Sequence, residues 1–207
     1  AYELLRCLVG SEMCIRDRSK PMDEIVSWRE GRLEPDSNPE RISGKNAGMA
    51  VRFKTRNDEK VMLKVAISYV SVEQARKNML AELPGWDFEQ VKQASFSEWN
   101  DWLGRIEVEG GSREQQIKLY TDLWHALLGR HVVSDADGHY MDMTSDFPRI
   151  RQIPLGEDGK PLYNHHNFDA WWGSHWSLNI LWSMAYPEVM DNFCNTMTDM
   201  YLSLIHI

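Results

Sequence analysis

Apolar and polar residues alternate along two stretches in the first third of the chain. The stretches GMAVRFKT (48–55) and EKVMLKVAISYV (59–70) are rich in β-branched residues, and this pattern predicts two strands. The short polar link between them, residues 56–58, has the length of a hairpin turn. MDEIVSW (22–28) predicts a third strand, and residues 29–46, rich in Pro, Gly, Asn and charge, predict a loop. We therefore expect the chain to begin with strands of a β domain.

After residue 70 the spacing of apolar residues changes from two to about 3.6, the period of a helix. Three helix start signals follow, in which Ser or Asp precedes Gln by three positions: Ser71 and Gln74, Asp87 and Gln90, Ser112 and Gln115. The short side chain accepts from a free backbone N–H of the first turn, and the glutamine reaches back to the cap residue. The pattern predicts helices over 72–82, from 88 to near Arg105, and from 113 onwards.

The last third combines a long loop with two helices. Residues 129–167 show no helical period, and within them Ser134 to Gly138 predicts a tight turn with a positive φ at Gly138 rather than a calcium loop. Pro187 separates the two helices, since proline opens a helix far more readily than it continues one. The residues predicted to be buried are Ser177, Ile180, Leu181 and Met184, then Val189, Phe193, Met197 and Met200.

The composition of the chain limits the classes of function that it can have. The formal net charge of -8 argues against a nucleic-acid partner, which requires a basic face. The sequence contains no run of about 18 apolar residues, so it predicts no membrane-spanning helix. Nine tryptophans are many for this length, and the broad indole face suits both a large core and a platform for a sugar ring. Strands followed by helices indicate an α+β protein with two domains.

The two ends of the chain read as translated adapter DNA. The bases GAGATGTGTATAAGAGACAG encode EMCIRD, which lies within residues 1–18, and their reverse complement encodes LSLIHI, residues 202–207. One adapter of a sequencing library therefore matches both ends in opposite orientations. We expect residues 1–18 and 202–207 to be adapter-derived and leave them out of the fold prediction. Resequencing the genomic locus across both junctions checks this expectation.

Three stretches resemble one family of carbohydrate enzymes. They are KVAISYVSVEQARKNMLAELPGWDFEQV (64–91), EWNDWLGRIEVEGGSREQQIKLYTDLWHALL (98–128) and VVSDADGHY (132–140). They are similar to glycoside hydrolase family 92, whose members are exo-acting α-mannosidases. The resemblance implies the end of a β-sandwich domain at 19–70, a helical linker at 71–111 and the first helices of an (α/α)6 toroid at 112–201. The active site would lie between the two domains, with a calcium ion on the substrate sugar.

The resemblance also implies an activity. It implies a fragment of an inverting hydrolase that acts on α-linked mannose, or on related terminal sugars of an oligosaccharide or N-glycan. Inversion requires a carboxylic acid and a carboxylate set ~6.5–9.5 Å apart. In the family these residues and most calcium ligands follow the position of Tyr201, so we assign no catalytic residue and expect the fragment alone to be inactive. A periplasmic, cell-envelope or secreted location is also implied. The alternative is a non-catalytic glycan-binding protein on the same scaffold.

The stretch DAWWGSHWSLNILW (169–182) is the candidate substrate-binding segment. Trp171 and Trp172 come just before a predicted helix, where loop residues commonly face a cleft, and we assign both to sugar binding. His175 is assigned to a sugar hydroxyl, with a purely structural histidine as the alternative. Trp176 and Trp182 follow helical spacing and are predicted to pack in the core.

The same region contains four potential metal ligands, His165, His166, Asp169 and His175. Adjacent histidine side chains usually diverge, and no pair of these residues has the helical spacing of common metal motifs. We therefore predict no metal site here.

The candidate segment departs from the family at a polar position. The family usually reads Trp-Asp-Thr, followed by an aromatic residue and an arginine. With Pro187-Glu188 aligned, Trp172 falls on the tryptophan and Gly173 on the aspartate, while His175 and Trp176 replace the last two residues. The lost carboxylate predicts a different sugar or linkage, or loss of activity. We assign Asp169 to substrate binding because it would compensate if the chain folds back.

Overall fold

The computed structural model describes residues 13–33, 46–128, 131–145, 147–167 and 171–205. Contacts between Cα atoms divide the chain into two compact units, residues 1–86 and 87–207. The described residues form five α-helices and short antiparallel strand pairings. The predicted α+β class is confirmed, whereas the bounds of the sandwich, linker and toroid stay predictions.

The described residues of the first unit form two small antiparallel sheets and one helix. Its elements are β1 Met13–Arg18, β2 Glu24–Arg29, β3 Arg32–Leu33, β4 Gly48–Arg52, β5 Leu63–Ser68 and α1 Val72–Glu82. One sheet has the strand order β3-β2-β4, and the other pairs β1 with β5. The strand predicted at 22–28 is thus confirmed as β2.

Strand β1 lies within residues 1–18, which we expect to be adapter-derived. It runs antiparallel to β5, with Met13 opposite Ser68 and Arg18 opposite Leu63. Strand pairing is made by backbone groups, so an extended segment of any origin can complete the edge of β5. The adapter origin of residues 1–18 therefore stays a prediction.

The predicted hairpin between residues 48–55 and 59–70 is wrong. Strand β4 pairs with β2, with Val51 opposite Ile25, and β5 pairs with β1. A turn does form at the predicted link, where Glu59 N donates to Arg56 O at 3.2 Å and Asp58 has a φ of 63°. This turn carries the chain from one sheet to the other. Alternation identifies a strand, but it does not identify the strand's partner.

Of the loop predicted at 29–46, residues 34–45 lie outside the described residues, and residues 29–32 form a hairpin turn instead. Glu30 and Gly31 have φ values of 50° and 77°, the conformation of a two-residue turn in which both central residues are left-handed. Arg29 on β2 then lies opposite Arg32 on β3. The Glu-Gly pair was the available signal for this turn, because glycine adopts a positive φ without steric cost.

Helix α1 has the predicted bounds and packs on β5. Ser71 Oγ accepts from Gln74 N at 3.1 Å, which confirms one half of the predicted cap. The other half is wrong, because Ser71 N donates to Ser68 Oγ at 3.3 Å and not to the Gln74 side chain. Ala75 and Met79 are buried on the inner face. Asn78 Nδ2 donates to the backbone oxygen of Ile67 at 3.1 Å and so ties the helix to the strand.

The second unit is mainly helical. Its elements are α2 Phe88–Leu103, α3 Arg113–Leu128, β6 His139–Asp142, β7 Arg149–Gln152, a 3-10 helix Trp171–Trp176, α4 Leu178–Ala185 and α5 Pro187–Ile205. Asp87 Oδ1 accepts from Gln90 N at 3.0 Å, and Ser112 N donates to Gln115 Oε1 at 2.8 Å. Both predicted helix starts are confirmed, because a capping box depends only on residues within one turn.

The core of the second unit is aromatic. Its fully enclosed members are Leu123, Trp182, Tyr186 and Phe193. The rings of Trp182 and Phe193 stack at a centroid distance of 5.3 Å, and Tyr186 stacks on Trp102 at 5.6 Å. The Tyr186 hydroxyl donates to the backbone oxygen of Trp102 at 3.1 Å, so its buried polar atom is satisfied.

The buried face predicted for α4 is wrong in part. Ser177 is exposed, and Ile180 and Met184 are 58% and 80% exposed. Trp176, which precedes them on the predicted face, is 76% exposed. The inward face carries Leu181 and the buried Trp182. Helical spacing shows which residues share a face, but two apolar faces compete here and packing against α5 selects one. The predictions of Trp182 and Phe193 as core residues are confirmed.

Within the described residues, no helix combines the length and the apolar character that a bilayer-spanning helix requires.

Candidate functional site

The 3-10 helix Trp171–Trp176, here called the tryptophan segment, exposes two indole rings. Trp172 is 79% exposed and Trp176 is 76% exposed. The backbone of Trp171 belongs to the segment, and Asp169 lies outside the described residues. An exposed indole offers a flat apolar face on which a ligand ring can stack. The structure thus places the assigned Trp172 where a ligand can reach it.

His175 is held in a fixed orientation within the tryptophan segment. Its Nδ1 lies 2.8 Å from the backbone oxygen of Trp172, and its ring contacts Trp176 with a centroid distance of 4.6 Å. A carbonyl oxygen only accepts, so Nδ1 carries the hydrogen in this contact. The tautomer with its hydrogen on Nδ1 presents Nε2 as an acceptor for a hydroxyl donor. Both alternatives for His175 are compatible with this geometry.

Gly173 lies between Trp172 and Ser174 and is partly exposed. A Cβ atom built at Gly173 meets no heavy atom within 4 Å. Ser174, next along the chain, is buried. A side chain at position 173 would therefore begin in open space and displace no neighbour.

The chain just before the tryptophan segment is anchored on two sides. His166 forms an antiparallel bridge with Val132, and Val133 N donates to His165 O at 2.8 Å. On the other side, His166 N donates to Thr196 Oγ1 at 3.3 Å. Thr196 is fully buried on α5, so this anchor belongs to the interior of the unit.

His165 and His166 are interior packing residues in this structure. The His165 ring stacks on Tyr140 at a centroid distance of 4.0 Å, and the His166 ring stacks on Phe193 at 4.6 Å. Burial lowers the pKa of His165 to about 4, so its imidazole is neutral at physiological pH. The described residues contain no cluster of three or more His, Cys, Asp or Glu suited to a metal ion.

A buried polar network that the sequence analysis missed joins β6 and β7 to α5. At its centre Asp142 accepts from the Thr144 hydroxyl at 2.6 Å, from the Ser203 hydroxyl at 2.7 Å and from Arg149 Nη2 at 3.1 Å. Burial raises the pKa of Asp142, but these hydrogen bonds and the Arg149 charge lower it more, to well below its usual range. Asp142 is therefore an ionised structural carboxylate. Ser203 falls among the residues expected to be adapter-derived.

The network continues through a second carboxylate. Arg151 Nη1 lies 3.6 Å from Asp142 Oδ2, and Arg151 Nη2 lies 3.4 Å from Asp199 Oδ1. The Tyr140 hydroxyl donates to Asp199. Burial and the Asp199 carboxylate raise the pKa of Tyr140 above its usual range, which keeps its proton on the phenol. Residues two apart on a strand lie on the same face of a sheet. The spacing of Tyr140 and Asp142, and of Arg149 and Arg151, was therefore the sequence signal that these side chains share one face.

The predicted turn at Ser134 to Gly138 is confirmed. Gly138 has a φ of 85°, and its N–H donates to Asp135 O at 2.8 Å. A Cβ at Gly138 would lie 3.0 Å from Pro161 Cγ, so the position has neither the backbone angle nor the space for another residue. Asp137 contacts His139 Nδ1 at 2.7 Å instead of serving a calcium loop.

Comparison with known proteins places this geometry in a family. Residues 74–204 match the glycosyl hydrolase family 92 catalytic domain. A relative from Arthroderma benhamiae, described as an uncharacterized secreted glycosidase, is 35% identical over 122 residues, which are 57% of this chain and 14% of that protein. The chain thus spans a small part of the length of this relative.

Two solved structures from Bacteroides thetaiotaomicron share the fold. A family GH92 α-mannosidase has a TM-score of 0.76 and 23% identity, covering 90% of this chain and 24% of its own. A family GH92 inverting mannosidase has a TM-score of 0.71 and 22% identity, covering 90% of this chain and 25% of its own. Both resemblances concern the fold and extend over nearly all of this chain.

Proposed function

Because the chain belongs to glycosyl hydrolase family 92, we propose that it is part of a hydrolase that removes α-linked mannose, or a related terminal sugar, from glycans with inversion. The observation that carries this proposal is the tryptophan segment. Trp172 offers an exposed indole face, and His175 is oriented beside it by the Trp172 carbonyl. A flat apolar ring with an adjacent hydroxyl acceptor suits a pyranose, which has apolar C–H faces and hydroxyl edges.

The described residues supply binding rather than bond cleavage. An inverting mechanism needs an acid and a base that both reach the substrate. Asp142 and Asp199, the carboxylates of the buried network, are instead held by Arg149, Arg151 and Tyr140. We therefore assign neither Asp142 nor Asp199 to catalysis. We propose no catalytic acid or base among the described residues.

The calcium ion that the family resemblance implies would be held by other residues than those described. No described cluster of three or more His, Cys, Asp or Glu fits a metal ion. The role proposed for this chain is to place the sugar ring against Trp172. We also propose a secreted or cell-envelope location, which the description of the Arthroderma relative supports.

Replacing Trp172 with alanine is expected to weaken binding of methyl α-D-mannopyranoside to the chain by about tenfold, because the stacking surface is removed. The measurement is a titration followed by NMR chemical shifts of the labelled chain. Since Trp172 is 79% exposed, the substitution should leave the melting temperature within a few degrees of the parent value.

Phe147 provides a matched control, because it is also 79% exposed but lies between β6 and β7. Phe147→Ala should leave the affinity for the mannoside unchanged. If Trp172→Ala bound the mannoside as tightly as the parent chain, Trp172 would not be a sugar-binding residue. The same conclusion would follow if Trp172→Ala and Phe147→Ala lost equal affinity.

Gly173 is the expected specificity position. Gly173→Asp restores the carboxylate usual in the family, and the open space around position 173 accommodates it. We expect the preference for methyl α-mannoside over methyl α-glucoside to rise by about fivefold, the contribution of one hydrogen bond to a sugar hydroxyl. Gly173→Ala is the control, since it adds the Cβ without the acceptor. An unchanged ratio of the two affinities in Gly173→Asp would reject this role.

The missing carboxylate at Gly173 also favours one alternative, a non-catalytic glycan-binding protein on the same scaffold. The hydrolase and the glycan-binding protein predict different residues at the catalytic positions of the complete gene. A hydrolase requires an acid glutamate and a base aspartate at the family positions after Tyr201, and the binding protein does not. A complete reading frame that lacks both would leave the binding protein as the function.

A further inference from the structure

We propose that Phe193 is a positioning residue that holds both flanks of the tryptophan segment and so sets the place of its exposed indoles. The effect on sugar binding rests on the proposed function, whereas the effect on the position of the segment does not. Phe193 lies on α5 and is fully buried, so it touches no ligand itself.

The first flank is held through His166, shortly before the tryptophan segment. The rings of His166 and Phe193 stack at a centroid distance of 4.6 Å with an interplanar angle of 28°. The backbone nearby is tied to the same helix, since Asn164 N donates to Asn192 Oδ1 at 3.2 Å and His166 N to Thr196 Oγ1 at 3.3 Å. The approach to the segment is thus fixed relative to Phe193.

The second flank is held through Trp182, on the helix that follows the tryptophan segment. The rings of Trp182 and Phe193 are nearly parallel, with an interplanar angle of 6° and a centroid distance of 5.3 Å. Trp182 is 1% exposed, so this contact lies in the buried core. One phenyl ring therefore contacts residues on both sides of the segment.

The exposed indoles contribute little to their own placement. Trp172 and Trp176 are both more than three-quarters exposed, so core contacts do not locate these rings. Their position depends on where the two flanks are held. A branched aliphatic side chain at position 193 keeps apolar volume but lacks flat faces for stacking, so at least one flank should shift. A displacement of the order of 1 Å at a binding group is enough to weaken binding severalfold.

The test compares two core substitutions in the chain labelled with 5-fluorotryptophan. Phe193→Leu removes the proposed ring contacts. Leu123→Ala removes volume from the same core cluster but leaves both rings of each stacked pair in place. The fluorine resonances of Trp172 and Trp176 are assigned with Trp172→Phe and Trp176→Phe. Both core variants should lower the melting temperature, but only Phe193→Leu should shift or broaden the two assigned resonances. It should also weaken methyl α-D-mannopyranoside binding by about five- to tenfold, measured well below the melting temperature.

Equal resonance changes in Phe193→Leu and Leu123→Ala would show a general loosening of the core and overturn the proposal. Unchanged resonances in Phe193→Leu would overturn it as well. Phe193→Met, which retains more of the side-chain length, replaces Phe193→Leu if the latter unfolds. If Trp172→Ala binds the mannoside as well as the parent does, the proposed function fails, while the fluorine spectra still decide the role of Phe193.

Discussion

Replacing Asp142 with alanine is expected to lower the free energy of unfolding by about 2–4 kcal/mol. Asp142 is 3% exposed as a side chain and accepts hydrogen bonds from Thr144, Ser203 and Arg149. Its removal leaves these donors without their acceptor. Loss of one partner from a fully buried ion pair costs about 3–5 kcal/mol, but Arg149 is 45% exposed and recovers part of its hydration.

The contribution of Asp142 should depend on pH in a defined direction. Its folded-state pKa lies below the unfolded value of about 3.9, because the network stabilises the charged form. The stabilisation is therefore complete above about pH 4 and declines as the pH falls from there through the folded pKa. Urea unfolding of the parent and Asp142→Ala should show a large difference at pH 7 and a smaller one near pH 3.

Asp122 supplies the control for Asp142, because it is a carboxylate in an exposed ion pair. It lies 2.5 Å from Lys118 one helical turn away, and its side chain is 60% exposed. Asp122→Ala should change the free energy of unfolding by less than about 0.5 kcal/mol. A similar small change for Asp142→Ala would mean that the buried network does not hold the β6 and β7 strands to α5.

Replacing Trp182 with alanine is expected to lower the free energy of unfolding by about 3–5 kcal/mol, the usual cost of truncating a fully buried tryptophan. Trp182 is 1% exposed and lies in one cluster with Leu123, Tyr186 and Phe193. Alanine leaves a cavity that the surrounding rings cannot fill without leaving their stacked arrangement. Chemical denaturation measures the loss directly.

Trp176→Ala is the matched control for Trp182, since both residues belong to the same short stretch of sequence. Trp176 is 76% exposed, so its truncation should change stability by less than about 0.5 kcal/mol. Comparable losses for the two variants would mean that Trp176 is packed in solution. That result would restore the core prediction made for Trp176 from helical spacing.

The predictions from sequence succeeded where the interaction that forms the element joins residues close together in the chain. The starts of α1, α2 and α3 were predicted to the residue, because Ser71, Asp87 and Ser112 cap amides within one turn. The turn at Gly138 was predicted for the same reason. In the candidate site, local sequence marked Trp172 and His175 as candidates for sugar contact, and that role stays a prediction.

The sequence by itself determined where helices begin, where turns occur and which residues are candidates for sugar contact, since each depends on neighbours along the chain. Only the tertiary structure decided that β4 pairs with β2, that Trp182 turns inward while Trp176 faces solvent, and that Asp142 and Asp199 meet Arg151. These outcomes depend on residues far apart in sequence. Several alternatives satisfy the same local pattern. In the first unit the pairing of β2 with β4 selects among them, and in the second unit the packing of α4 and the side-chain contacts of β6 and β7 with α5 do so.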